Sequence, residues 1–188
     1  FFLFLFQIPE GHAQVEETIE PEYIRTIQFK GTSAQSRLPI IELGQKLQLS
    51  FDDIIGNEAD YFYTIAHFNF DWTPSDLSKG EYLDGFDDVR IETYENSFNT
   101  LQLYSNYKLS IPNRETRAIK KSGNYLLRIF NDDGEIVFSR KFMVLERVLS
   151  VEVEIKRSRI IKNIDQQQVV QFKINSPNLL LINPKQNV

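Results

Sequence analysis

The feature that most restricts this chain is a two-residue rhythm of apolar side chains, repeated in short stretches along most of its length. Leu47, Leu49 and Phe51 alternate with Lys46, Gln48 and Ser50. Tyr107, Leu109 and Ile111 alternate with Lys108 and Ser110, and Val151, Val153 and Ile155 with Glu152, Glu154 and Lys156. Successive side chains of a strand point to opposite faces, so this rhythm belongs to strands with one buried face and does not suit a helix of 3.6-residue period. Tyr61, Tyr63 and Ile65 alternate with Phe62, Thr64 and Ala66, apolar on both sides, which predicts a central strand. Ile24, Ile27 and Phe29 supply a weaker first strand.

The best hairpin runs from Tyr125 to Val144. Its turn, Asn131-Asp132-Asp133-Gly134, combines residues that bond their own backbone with a glycine able to take positive φ. The stretch Ser122-Gly123-Asn124-Tyr125 opens the first arm with a Gly-x-Tyr. In immunoglobulin-like sandwiches a tyrosine at such a place ties its hydroxyl to backbone at the sheet corner. Helix is asked for only once: Thr73 as N-cap, Pro74 at the first helical position, Asp76 completing a capping box and Gly80 stopping it. These patterns predict an all-β protein, with an immunoglobulin-like β-sandwich over residues 22–146. The strand from Val148 and the run Gln168 to Ile174 open a second β domain over residues 147–188, whose ~40 residues are too few for a core of their own.

Both ends are informative. Phe1-Phe2-Leu3-Phe4-Leu5-Phe6 is far shorter than the ~20 apolar residues that a helix needs to cross a bilayer. Gly11 and Ala13 fit the −3 and −1 positions of a cleavage site, so residues 1–13 read as the remainder of a signal peptide and Gln14 as the mature start. An apolar N-terminal strand fits less well, because Pro9 and Gly11 follow directly. The run from Ser176 to Pro184 resembles the middle of a domain, so the sequence reads as a piece open at both ends of an exported protein.

Composition narrows the chemistry. With no Cys and only His12 and His67, disulfides, cysteine zinc sites and thiol nucleophiles are excluded, and a catalytic triad or histidine metal cluster would rest on His67 alone. A net charge of −5 leaves no footprint for nucleic acid. The unusual stretch is the aromatic and acidic loop His67 to Asp88. In it Trp72, Tyr82 and Phe86 are the candidate partner-binding residues, able to stack on sugar rings or to anchor in a partner's pocket. The competing reading folds these rings back over one end of the sandwich. Asp71, Asp76, Asp84, Asp87 and Asp88 offer oxygens of the kind Ca²⁺ takes, without EF-hand spacing. A glycosidase pair would need two of them at a set separation across a cleft. His67 reads as a hydrogen-bonded, half-buried residue, and Lys156, Arg157, Arg159 and Lys162 as a solvated loop. No catalytic, cofactor-binding or metal-binding residue is assigned, and no cofactor is expected.

Taken in order, several stretches resemble one family. They are Leu49-Ser50-Phe51-Asp52-Asp53, Tyr61 to Asp76 with its Asp-Trp-Thr-Pro-Ser-Asp, Glu81-Tyr82-Leu83-Asp84-Gly85-Phe86, Ser97-Phe98-Asn99-Thr100, Tyr107 to Asn113, Ser122 to Leu127 and Arg140 to Val144. Over residues 23–146 the chain is similar to the plug proteins of the type IX secretion system. The resemblance implies a non-enzymatic periplasmic protein of the Bacteroidetes group, associated with the inner side of the outer membrane. It also implies that the protein binds and seals the periplasmic opening of the outer-membrane translocon barrel. No catalytic residue belongs to that picture, and no contact residue is carried over. The alternative from another class is a carbohydrate-binding β-sandwich module.

Overall fold

The computed structural model describes residues 15–31, 38–147 and 149–175; the expected signal peptide, at 1–13, and the run after Asn175 lie outside these residues. The chain divides into two units, Phe1–Leu145 and Glu146–Val188. In order, the first holds β1 (Ile24–Gly31), β2 (Ile40–Glu42), β3 (Leu47–Asp53), β4 (Phe62–Phe68), a one-turn helix α1 (Lys79–Tyr82), β5 (Leu83–Gly85), β6 (Val89–Arg90), β7 (Thr93–Asn96), β8 (Ser105–Ile111), β9 (Thr116–Ile119), β10 (Gly123–Phe130) and β11 (Ile136–Leu145). The second holds β12 (Ser150–Arg157) and β13 (Gln168–Asn175), with a 3₁₀ turn at Ile161–Asn163 between them.

The first unit is an all-β sandwich. One sheet has the order β1-β3-β8-β7, the other β2-β11-β10-β4-β6, and β5 and β9 form a small separate ladder. The alternating residues fill the space between the sheets. Leu47, Leu49 and Phe51 of β3 and Tyr107, Leu109 and Ile111 of β8 meet Tyr63 and Ile65 of β4, Tyr125, Leu127 and Ile129 of β10, and Phe138 and Phe142 of β11. Aromatic rings dominate this core. Phe51 has Tyr61, Tyr107 and Phe138 each at 5.2 Å between centroids, and Tyr125 stacks on Phe142 at 5.1 Å. Tyr107 is pushed up to about 12 in pKa, first by burial and then by the charge of Asp53, so its hydroxyl stays neutral and donates to the Ala59 carbonyl at 2.7 Å.

The turn at 131–134 forms as the sequence requires. Gly134 has φ +79°, its N–H donates to the Asn131 carbonyl at 3.1 Å, and the Asn131 side chain accepts from the Glu135 N–H at 2.8 Å. The Tyr125 hydroxyl donates to the Lys121 carbonyl at 2.7 Å, the backbone tie that the Gly-x-Tyr predicts. The expected helix from Thr73 does not form. The Thr73 N–H and hydroxyl both donate to Asp71 Oδ1, at 3.1 and 2.7 Å, and Pro74 bridges to Phe68 as extended backbone. Local side-chain bonds of this kind compete with helix. The helical turn comes a few residues later, where the Glu81 carboxylate accepts from the Ser78 N–H and hydroxyl at 2.8 and 2.7 Å, with Gly80 inside it. The capping chemistry is present, but on Ser78 rather than Thr73.

One feature has no rhythm in the sequence. Residues 15–20 run along the outer edge of β11: the Thr18 N–H donates to Ser139 Oγ at 2.7 Å and the Ser139 N–H to the Thr18 carbonyl at 3.1 Å. Arg140 Nη2 donates to Glu20 Oε2 at 2.5 Å, and this bond holds the Glu20 carboxyl below its ordinary value. Beyond this arm the same edge pairs with β2, in parallel, through Met143, Val144 and Leu145. A carboxylate whose folded pKa is depressed stabilises above its unfolded pKa and loses that contribution as pH falls through the folded value. The pair is partly exposed, so its share is at most about 1 kcal/mol. Amide exchange at Thr18 is therefore expected to quicken between neutral pH and pH ~3 relative to core amides, and Arg140→Ala should abolish that difference.

In the second unit β12 and β13 pair antiparallel, setting Val151, Val153 and Ile155 opposite Ile174, Phe172 and Val170. The alternation is as expected from the sequence. The apolar side of β12 is nonetheless exposed in the described residues, with Val151 at 51% and Val153 and Ile155 at 63%.

Candidate partner-binding surface

The loop between β4 and β6 is fastened to the sandwich in two ways. Its first part, 69–75, turns back along the end of β4, with the Asn69 N–H donating to the Thr73 carbonyl at 2.9 Å and the Ser75 N–H to the His67 carbonyl at 3.4 Å. Asn124 of β10 holds it from below, donating through Nδ2 to the carbonyls of Asn69 and Phe70 at 2.9 and 3.2 Å. Trp72, at φ +65°, is thereby laid beside buried Phe68, centroids 6.3 Å apart, and the Lys141 ammonium of β11 sits 4.5 Å above its ring. A cation over an indole face is an attractive contact, so Trp72 is half-buried and one face already has an occupant.

The second part, 79–88, is fixed by a buried carboxylate. Asp87 Oδ2 accepts from the Ile65 N–H at 2.7 Å, and Asp87 Oδ1 pairs with Lys79 at 2.5 Å. Tyr82 turns inward to 6% exposure, stacks at 5.6 Å on His67, and donates its hydroxyl to the Ile65 carbonyl at 3.2 Å. Phe86 turns outward, 71% exposed, while its backbone is locked on both sides. Its N–H donates to the Glu115 carbonyl at 2.9 Å, and its carbonyl accepts from the Thr116 hydroxyl at 2.5 Å. Thr116 continues inward to the Tyr63 hydroxyl at 2.7 Å, which accepts from Asn113 Nδ2 at 2.8 Å. Phe86 is thus an exposed ring on a rigid post.

The three candidate residues therefore occupy three different environments: Tyr82 in the core, Trp72 half-covered, Phe86 in solvent. A sugar platform requires rings lying flat and exposed in a row, and these do not form one. Phe70, 92% exposed at the tip of the same loop, is a further ring that nothing in the sequence pattern singles out. Tyr82→Ala is expected to cost about 2–3 kcal/mol of stability in a denaturation titration, as a large buried side chain does, whereas Phe86→Ala should stay within about 0.5 kcal/mol.

Three of the five carboxylates considered for Ca²⁺ are engaged elsewhere: Asp87 as above, Asp84 with Arg117 at 2.8 Å, Asp71 with Thr73. Among the described residues no group of three or more His, Asp or Glu converges on a point. His67 is held between the Ser75 hydroxyl at Nδ1, 2.7 Å, and the Ser122 carbonyl at Nε2, 3.3 Å. A carbonyl only accepts, so Nε2 carries the proton. Among the described residues no helix is long and apolar enough to cross a membrane.

No curated protein matches the chain. Among solved structures, it is similar to the crystal structure of a hypothetical protein from Parabacteroides merdae ATCC 43184, at 31% identity and a TM-score of 0.74. That similarity covers 92% of this chain and 44% of the other, so the chain spans less than half the length of that protein. Residues 24–146 match the family model described as the type 9 secretion system plug protein 1st domain, the span of the sandwich itself, and the chain belongs to that family.

Proposed function

We propose that this chain acts without chemistry, by binding and sealing the periplasmic opening of the type IX secretion outer-membrane translocon. The observation that carries the reading is the family match over residues 24–146. A body that works by obstruction needs rigidity and contact area more than a cleft. A continuous aromatic core and loops tied down by buried hydrogen bonds supply the first. On this reading the protein is periplasmic, at the inner side of the outer membrane, and its partner is the translocon barrel. Within the 68–88 loop we assign contact to Phe86 and Trp72, with Tyr82 supporting them from inside. Residues 147–188 we assign to a second β domain, because a two-stranded hairpin with an exposed apolar face is marginal alone.

The test is capture from a detergent extract of outer membranes with the tagged chain as bait. Enrichment of the large barrel component of type IX secretion is the expected result; its absence, or retention of the bait on polysaccharide resin instead, overturns the proposal. Trp72→Ala combined with Phe86→Ala should lower the captured amount severalfold in a variant of unchanged circular dichroism.

A further inference from the structure

At the end of the sandwich away from α1, two loops meet: residues 54–61 between β3 and β4, and 97–104 between β7 and β8. The ladders place them together, since Ser105 pairs with Asp53 on one side and with Asn96 on the other. Both carry large apolar side chains into solvent. Phe98 is 92% exposed, Leu101 fully so, Leu103 and Ile55 more than half. Single exposed apolar residues are ordinary, but a group of them on adjoining loops is what marks interaction surfaces.

These loops are built to hold their shape. Ser97 and Tyr104 exchange bonds at 2.8 Å, N–H to carbonyl one way and N–H to Ser97 Oγ the other. Gln102 Nε2 reaches across to the Ile54 carbonyl at 2.8 Å, and Thr100 donates to the Gln102 carbonyl at 2.7 Å. Glu58 accepts from the Tyr94 hydroxyl at 3.2 Å and from Asn96 Nδ2, joining the loop 54–61 to β7. Leu103 packs so closely on Gly56 that a Cβ there would lie 3.0 Å from its own Cβ. Loops ordered in advance lose little entropy on binding.

The apolar group has an acidic surround. The β10–β11 turn, with Asp132, Asp133 and Glu135, opens at the same end as the loop of Glu58 and Asp60, because Phe130 pairs with Phe62. Tyr23 lies among them: burial first, then the charges of Asp53 and Glu135, push its pKa up. Of the cations there, Arg90 is bound to Asp60 at 2.5 Å, and Arg25 donates through Nη1 to the Ile24 carbonyl at 3.3 Å.

We propose that this apolar end, carried by Phe98, Leu101, Leu103 and Ile55 and rimmed by acid, is a docking surface for a protein partner presenting an apolar pocket edged with lysine or arginine. The inference rests on the sealing role above and assigns that partner surface to the periplasmic mouth of the barrel. A bilayer is the poorer fit, since acidic groups beside an inserting tip are repelled by anionic headgroups.

The experiment captures the barrel with the full chain, with the double variant Phe98→Ser and Leu101→Ser, and with Asp132→Lys and Asp133→Lys. All four positions are exposed, so the variants should keep the parent circular dichroism and melting temperature. Expected is a loss of roughly tenfold or more in captured barrel for the serine variant, as central apolar anchors give, with a smaller loss for the lysine variant that shrinks at high salt. Parent and serine variant capturing equally overturns this inference and leaves the sealing role standing; a parent that captures no barrel overturns both. In parallel, binding of the parent to vesicles of phosphatidylethanolamine and phosphatidylglycerol, lost in the serine variant, overturns the protein partner in favour of the bilayer.

Discussion

Phe51→Ala is expected to cost the sandwich about 3–5 kcal/mol, enough to leave a large part of the chain unfolded at 37 °C. Phe51 has no exposed surface and three aromatic neighbours at 5.2 Å, two edge-on and one stacked, drawn from both sheets: Tyr107 on its own sheet, Phe138 and Tyr61 across the core. Truncation removes a ring and leaves a void that none of these neighbours can enter. Tyr61 is anchored by its hydroxyl on Asp53 at 2.9 Å and Tyr107 by the Ala59 carbonyl. Such a site cannot collapse, which puts the cost in the upper part of the range known for large-to-small changes. The measurement is a urea titration followed by Trp72 fluorescence. Phe51→Leu, which keeps most of the volume, should recover more than half of the loss.

Gly85→Ala is expected to cost about 2–5 kcal/mol, as positive-φ strain and overpacking add. Gly85 has φ +98°, and a Cβ there would collide with the Glu115 carbonyl oxygen while lying 3.0 Å from the Arg117 nitrogen. Both are backbone atoms of the β5–β9 ladder and its turn, so neither can rotate away. Moving Glu115 breaks the bond from the Phe86 N–H, and with it the Thr116–Tyr63 chain that stiffens the exposed ring. The variant should therefore lose stability and barrel capture together. Gly134→Ala is the control: it shares a positive φ but has nothing within 4 Å, and should cost only about 1–2 kcal/mol. Equal losses at the two glycines would refute the steric argument.

The strands were legible because burial of one face writes itself into a period of two, which β3, β4 and β8 carry; β12 carries the period in its sequence although its apolar side is exposed. The turn at 131–134 and the Tyr125 hydroxyl tie were legible because few residues satisfy those geometries. The helix was displaced because Thr73–Asp76 and Ser78–Glu81 offer nearly the same cap, and the local bonds of Thr73 to Asp71, together with tertiary bonds from Asn124 and His67, favour the second. The candidate surface was half legible. An aromatic residue in a polar loop has no sequence mark for inward or outward, and Tyr82 and Phe86 differ only because one lies over His67 and the other on a ladder edge. Asp87 read as one of five oxygens of the kind Ca²⁺ takes; its partners are Lys79 and a backbone N–H distant in sequence, which no spacing announces. Of the exposed loop, only Ser97–Thr100 stands out in the sequence, for its likeness to a family and not for its exposure; Leu101 and Leu103 do not, since apolar residues in a sequence read as core by default.

The arm along β11 has a consequence for how the chain is made. Thr18 and Ser139 are 121 positions apart, so the arm, made before every strand of the sandwich, waits for nearly the last of them before it can dock. Until then the arm has no strand to pair with, and the edge of β11 at Ser139 stays bare from its own synthesis until the arm docks, the state in which a sheet recruits foreign strands. This unit closes only when its last strand meets the arm that precedes its first, and the interval before that closure is when chaperones and proteases find it most accessible.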